Sequence, residues 1–185
     1  TAVRLAHYQH AQRFYDFCDE LGMVVWAEIP FISRFINTKE AKEDTVRQMR
    51  ELIMQNYNHP SICFWGISNE ITMGEESDEL VENQRILQKL CHKLDPSRKT
   101  VLANLTTVES QSEQNKITDL SAYNVYMGWY AGKVEDCGAW MDSLHKENSD
   151  MCMGISEYGA DTNVQYHSDA PKRQDYTEEY QSYYH

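Results

Sequence analysis

Glu70 closes the stretch NHPSICFWGISNE (residues 58–70), and Glu157 stands inside GISEYGAD (154–161). Both carboxylates follow short apolar runs of strand character. A strand that ends in Asn69 and Glu70 looks built to present an amide and a carboxylate from a rigid support. Two carboxyl groups held this way can divide labour: one gives and takes a proton, while the other stays ionised and attacks or stabilises positive charge. Other polar side chains also fall where an apolar run finishes. They are His7, Glu28, Asn104, Asn124 with Tyr126, and Tyr158 beside Glu157.

The elements that must position them alternate between strand and helix. AVRLAHY reads as a strand running to Tyr8. Phe14, Phe17, Cys18 and Leu21 then make a helical stripe that stops at Gly22. MVVWA (23–27) reads as a strand with Glu28 just beyond it. NTKE (37–40) fits a capping box opening a helix with Val46, Met49, Ile53 and Tyr57 inward, ended before Pro60. After the strand ending at Asn69–Glu70, a helix carries Leu80, Val81, Gln84, Leu87, Leu90 and Leu94 and stops at Asp95–Pro96. TVLAN (100–104) is a strand, and the polar connection after it is too short for a full crossover helix. LSAYNVY (120–126) is a strand. Val134, Cys137, Met141 and Leu144 mark a helix, and MCMGIS (151–156) a strand ending at Glu157. The acidic stretches 39–44 and 75–82 read as solvated helix starts, where acids suit the helix dipole.

This rhythm predicts an α/β fold with a parallel sheet. An open doubly wound sheet and a (β/α)8 barrel both fit it. The strand ends favour the barrel, which gathers them around one site. A doubly wound sheet would use a switch point and usually a glycine-rich phosphate loop, and neither GxGxxG nor GxxxxGK[ST] occurs. The sequence offers six strands where a barrel needs eight.

Composition narrows the function classes. With 29 Asp and Glu against 17 Lys and Arg, the net charge of −12 repels phosphate backbones, so no nucleic-acid partner is expected. No apolar run reaches membrane-spanning length, so no membrane partner is expected either. Five scattered cysteines read as reduced, with Cys18, Cys63, Cys91 and Cys152 on apolar faces or inside strands. Twelve tyrosines and four tryptophans suit a site that stacks on and hydrogen-bonds an amphipathic ligand. His7 and His10 form an HxxH pair without a third ligand at metal spacing, so no metal site is assigned and no cofactor is required.

Four stretches, RLAHYQHAQRFYDFCDELGMVVWAEIP, NHPSICFWGISNE, NVYMGWY and GISEYGAD, occur in an order that resembles the catalytic domain of glycoside hydrolase family 2. GWYAG with DCGAWMDSLHKE, and the tail YHSDAPKRQDYTEEYQSYYH, look most like bacterial β-galactosidases. The resemblance implies a TIM barrel represented by about its second to seventh strands. Residues 1–185 would then be part of the catalytic domain of a longer multidomain glycosidase. It also implies a carbohydrate substrate, partner domains in the parent chain, possible homo-oligomers, and a bacterial cytoplasmic or periplasmic setting. Two raw sheet edges follow, and with them the expectation that the segment does not fold or work alone.

The resemblance assigns Glu70 as acid/base and Glu157 as nucleophile of a retaining, exo-acting β-galactosidase. That mechanism needs the two carboxyl groups about 5–5.5 Å apart. Asn69 would hydrogen-bond the sugar's 2-hydroxyl, Tyr126 would orient Glu157, and His7 would contact the sugar. Trp129 and Tyr130 would line the leaving-group side, and Glu28 would tie the barrel mouth together through ion pairs. Some relatives use magnesium or sodium, whose ligands do not map onto this sequence. β-Glucuronidase, β-mannosidase and a non-catalytic carbohydrate-binding barrel are the alternatives, the last disfavoured because binding alone needs neither Glu70 nor Glu157.

Overall fold

The computed structural model describes residues 1–73 and 76–185. In chain order its elements are β1 (Ala2–Leu5), α1 (Gln12–Glu20), β2 (Val24–Glu28), α2 (Lys39–Asn56), β3 (Ile62–Asn69) and α3 (Asp78–Leu94). They continue with β4 (Lys99–Leu105), β5 (Leu120–Val125), α4 (Asp136–Glu147), β6 (Met153–Tyr158) and α5 (Glu178–Tyr184). A 3-10 turn at Glu113–Lys116 replaces a helix between β4 and β5, as the short polar connection there predicts.

The strands form one parallel sheet in the order β1-β2-β3-β4-β5-β6. An order that never reverses has no switch point, which excludes a doubly wound sheet. It is the strand order of a (β/α)8 barrel, with β1 and β6 as edges.

Strand alternation separates the two faces. Leu5, Val25, Ala27, Trp65 and Ile67 pack against Tyr15, Cys18, Met49, Leu52, Ile53, Leu80 and Leu87 of α1, α2 and α3. Each such aliphatic side chain, fully buried, stabilises the fold by about 1.5–3 kcal/mol. A second apolar layer comes from strands alone: Trp26, Val101, Ala103 and Ala122, with Phe64 and Leu120 against them. Gly66 lets β2 and β3 approach closely, because a Cβ there would lie 2.3 Å from the Trp26 indole nitrogen and 2.5 Å from Glu28 Cβ.

Several elements differ from their sequence expectation. On α1 it is Tyr15 and Cys18 that face the sheet. Phe14, Phe17 and Leu21 are exposed, the Phe17 ring lies under the Arg13 guanidinium at 4.2 Å, and the helix ends before Leu21. On α2 the inward positions are Met49, Leu52, Ile53 and Asn56. Tyr57 is exposed, with Arg98 over its ring. The N-cap is Thr38, whose hydroxyl accepts from the Ala41 amide at 3.2 Å, one residue later than the NTKE box requires. Asn37 instead accepts from the Lys42 ammonium. β6 begins at Met153, which leaves Cys152 exposed. α3 opens on Ser77, with Asp78 and Glu79 in its first turn, while Glu75 of the expected acidic start lies outside the described residues. Among the described residues, no helix is long and apolar enough to cross a membrane.

Candidate active site

Two local irregularities in the sheet aim the acidic side chains. Between Gly66 and Asn69, β3 advances three residues while its partner β4 advances two, from Val101 to Ala103. The extra residue leaves two consecutive side chains facing the helices: Ile67 in the core, and Ser68 accepting from Gln84 of α3 at 3.0 Å. Asn69 therefore turns to the opposite, concave side. Glu70 then adopts a left-handed backbone (φ 46°), uncommon for a residue with a side chain, and its amide donates to the Ala103 carbonyl. In β6 the same thing happens once more. Ile155 pairs with Tyr123 and Glu157 with Asn124, so Ser156 is extra. Ser156 and Glu157 both reach the concave side, where strict alternation would allow only one.

The side chains meet at the C-terminal ends of the strands. Asn124 donates its amide to Glu70 Oε1 at 2.9 Å and to Asn69 Oδ1 at 3.1 Å. Asn69 Oδ1 also accepts from Arg4 Nη2 at 2.8 Å, and Arg4 Nη1 donates to Glu157 Oε1 at 2.6 Å. The other oxygen of Glu157 accepts from the Tyr126 hydroxyl at 2.7 Å. Glu70 and Glu157 thus belong to one network that runs through Asn124, Asn69 and Arg4. The carbonyl end of the Asn69 amide is taken by two donors, which turns its NH2 end the other way.

Burial, together with the carboxylate of Glu157, pushes the Tyr126 phenol well above its ordinary pKa. Tyr126 therefore stays a donor at any physiological pH. With Arg4 it presents one donor to each oxygen of Glu157, which fixes that carboxylate's orientation.

Glu28 is almost wholly buried. Its two oxygens accept from Nε and Nη2 of Arg4, both at 2.9 Å, and His7 Nδ1 lies 2.9 Å from Oε1. It orients Arg4 and His7, the ion-pairing role expected of it. His7 follows the end of β1, and its Nε2 lies 3.9 Å from Glu157 Oε1. Its side chain is 27% exposed, so it borders the opening.

Of the sequence candidates, the structure brings Asn69, Glu70, Tyr126, Glu157 and His7 together. Trp129 is placed elsewhere. It is 2% exposed, packed edge-on to Tyr176 at 5.2 Å and against Tyr180, and covered by the segment that leads into α5. That segment is tied down by the Tyr180 hydroxyl, which donates to the Gly128 carbonyl. Tyr130, by contrast, is exposed, with its ring 5.0 Å from that of Tyr126. Arg4, which joins this network, was not among the sequence candidates. Its signal is a charged side chain on the face opposite Val3 and Leu5, one residue before a strand end. Ser156 carried no signal, because its orientation depends on the extra residue in β6. Among the described residues no group of three or more His, Cys, Asp or Glu side chains could hold a metal.

The chain matches the family model described as "Glycosyl hydrolases family 2, TIM barrel domain" over residues 1–184. It belongs to that family. A β-glucuronidase of Bacteroides fragilis is 38% identical over the whole of this chain, which spans 28% of that protein's length. A β-galactosidase of Thermoanaerobacterium thermosulfurigenes is 37% identical over 53% of the chain and 13% of its own length. Among solved structures, an FMN-binding β-glucuronidase from Facaelibacterium prausnitzii L2-6 superposes with a TM-score of 0.97. It is 55% identical, over 99% of this chain and 28% of that one. The six strands are part of a TIM barrel.

Proposed function

We propose that the protein carrying this member of glycosyl hydrolase family 2 is an exo-acting, retaining β-glycosidase, and that residues 1–185 supply about strands two to seven of its catalytic barrel. Glu157 attacks the anomeric carbon, and Glu70 protonates the departing oxygen and then draws the proton from water. Arg4 and Tyr126 hold Glu157 in line for attack. Asn69 offers its NH2 end to the sugar, and His7 and Tyr130 border the entrance. The observation that carries this reading is the single hydrogen-bonded network joining Glu70 and Glu157 at the strand ends.

β-Glucuronides are the first substrate class to try, because a relative and a solved structure that match nearly the whole chain bear that name. β-Galactosides are the second reading. A relative 37% identical supports it, as does a putative β-galactosidase structure from Bacteroides fragilis, 34% identical over the whole chain.

The full-length protein should be assayed with 4-nitrophenyl β-glucuronide, β-galactoside and β-mannoside. In Glu157→Gln, turnover of the preferred sugar should vanish, and azide should yield at most the α-glycosyl azide. In Glu70→Gln, activated substrates should show a burst, and azide should accelerate turnover and leave the β-glycosyl azide. β-Azide from the Glu157 variant would reverse the two roles. Undiminished turnover in both variants would remove the mechanism.

A further inference from the structure

Ser156 lies beside Glu157 on the strand of the nucleophile, yet its hydroxyl reaches across to β5. Ser156 Oγ donates to Asn124 Oδ1 at 2.6 Å. Asn124 is 3% exposed, and the other end of its amide donates to Glu70 and Asn69. An amide has two distinguishable ends. With its oxygen taken by the serine, its NH2 group must point at the two oxygens of the neighbouring strand. A reversed amide would set its carbonyl against the Glu70 carboxylate and against Asn69 Oδ1, which also accepts from Arg4. The serine can do this only because β6 carries an extra residue. With strict alternation Ser156 would face away whenever Glu157 faced the mouth.

We propose that Ser156 is a positioning residue for the acid/base half of the site. It acts through Asn124 on Glu70, so the strand that supplies the nucleophile also sets the geometry of the proton donor. The proposal rests on Glu70 being the acid/base, as argued above. Ser156 itself touches no reacting atom. Its loss would leave Asn124 with a buried oxygen lacking its donor, and with freedom to tilt away from Glu70. Proton transfer requires close alignment, whereas attack by Glu157, held by Arg4 and Tyr126, does not depend on the serine.

The test uses the full-length enzyme and two substrates of the preferred sugar, the 4-nitrophenyl and the phenyl β-glycosides. The nitrophenol needs little protonation to leave, and the phenol needs much. Glu70→Gln is measured first and should lose far more on the phenyl substrate; if it does not, the assignment of Glu70 fails, and this proposal with it. Given that control, Ser156→Ala should lose about ten-fold in kcat/KM on the phenyl glycoside and little on the nitrophenyl one in the glycosylation step. Ser156→Thr, which keeps the hydroxyl, should restore the wild-type ratio of the two rates. Its isostere Ser156→Val should not, and this pair answers the question if the alanine variant folds poorly. Equal losses on both substrates, an unchanged ratio, or a valine variant that matches the threonine one would overturn the proposal while leaving the role of Glu70 intact.

Discussion

The two ends of the sheet both carry buried or half-buried acids, and they use them differently. At the base, where the strands begin, the acids are aspartates. Asp19 accepts from the Ser61 amide at 2.9 Å and lies 2.7 Å from His59 Nδ1. Asp95 accepts from the Ser97 amide and hydroxyl, the Trp65 indole and Arg98. Asp119 accepts from the Thr100 amide and hydroxyl. Each short side chain clips a backbone amide near the start of a strand, Ser61 before β3, Ser97 before β4 and Thr100 in β4, and Arg98 completes the clasp by donating to the Ile62 and His59 carbonyls. At the mouth the acids are the glutamates Glu28, Glu70 and Glu157, whose partners above are side chains: Arg4, His7, Asn124 and Tyr126. A carboxylate closed onto backbone amides fixes the chain. One held by side chains over an opening is oriented yet can still meet a ligand. In a barrel, polar groups at the strand starts serve stability, and those at the strand ends serve chemistry.

One substitution at each end should separate the two kinds of acid most sharply. In the full-length protein Glu157→Gln should lower turnover by about 10⁴-fold or more. Its unfolding midpoint should stay close to wild type, since the amide keeps a similar shape. A large loss of stability with residual turnover would erase the contrast. Asp95→Ala is the converse. Removing one partner of a buried pair leaves Arg98 and the Trp65 indole uncompensated and should cost about 3–5 kcal/mol in denaturant unfolding. The molecules that remain folded should keep their kcat.

Acid should loosen the base at Asp95. Burial alone would raise the Asp95 carboxyl, but its bonds from Ser97, Arg98 and Trp65 overcome this and hold it down at about 2, from an ordinary 3.8. A group depressed in the folded state contributes stability above its unfolded pKa and loses it as pH falls toward the folded one. Asp95 should therefore contribute about 2 kcal/mol that disappears between about pH 4 and pH 2. Unfolding curves of wild type and Asp95→Asn should converge across that window, and parallel curves would refute the assignment. The smallest effect is expected at Asp119→Asn. The amide oxygen can still accept from Thr100, and the site is partly solvated, so the cost should be about 1 kcal/mol with unchanged kinetics.

The mouth was more legible in the sequence than the base. Glu28, Asn69, Glu70 and Glu157 each follow an apolar run, and a polar side chain at the end of a strand stands out against it. Asp19, Asp95 and Asp119 sit in turns and helix ends, where aspartate is ordinary, so nothing marks them as clasps. Arg4 was hidden because a charge inside a strand has no local reason until its partners arrive from β2, β3 and β6. Trp129 misled because the sequence cannot show that residues beyond Ala160 fold back over it. Phe14 and Phe17 misled because helical spacing locates a stripe without saying which side of a nine-residue helix meets the sheet.

The extra residue in β3 changes the parity of the strand. A pleated strand has two faces, so position along it counts only as odd or even, and one inserted residue exchanges the two for everything after it. Between Gly66 and Asn69 the count has been shifted by one. Deleting Ile67 or Ser68 would shorten the strand without removing a single polar group from the site. Gly66 and Asn69 would then stand two residues apart on a regular ladder, with Asn69 still opposite Ala103, so Asn69 would keep the concave side and Glu70 with it. The face of these two residues is therefore set by their register against β4, and a chain that lost one hydrophobic or one hydroxyl residue here would still hold its carboxylate over the concave side.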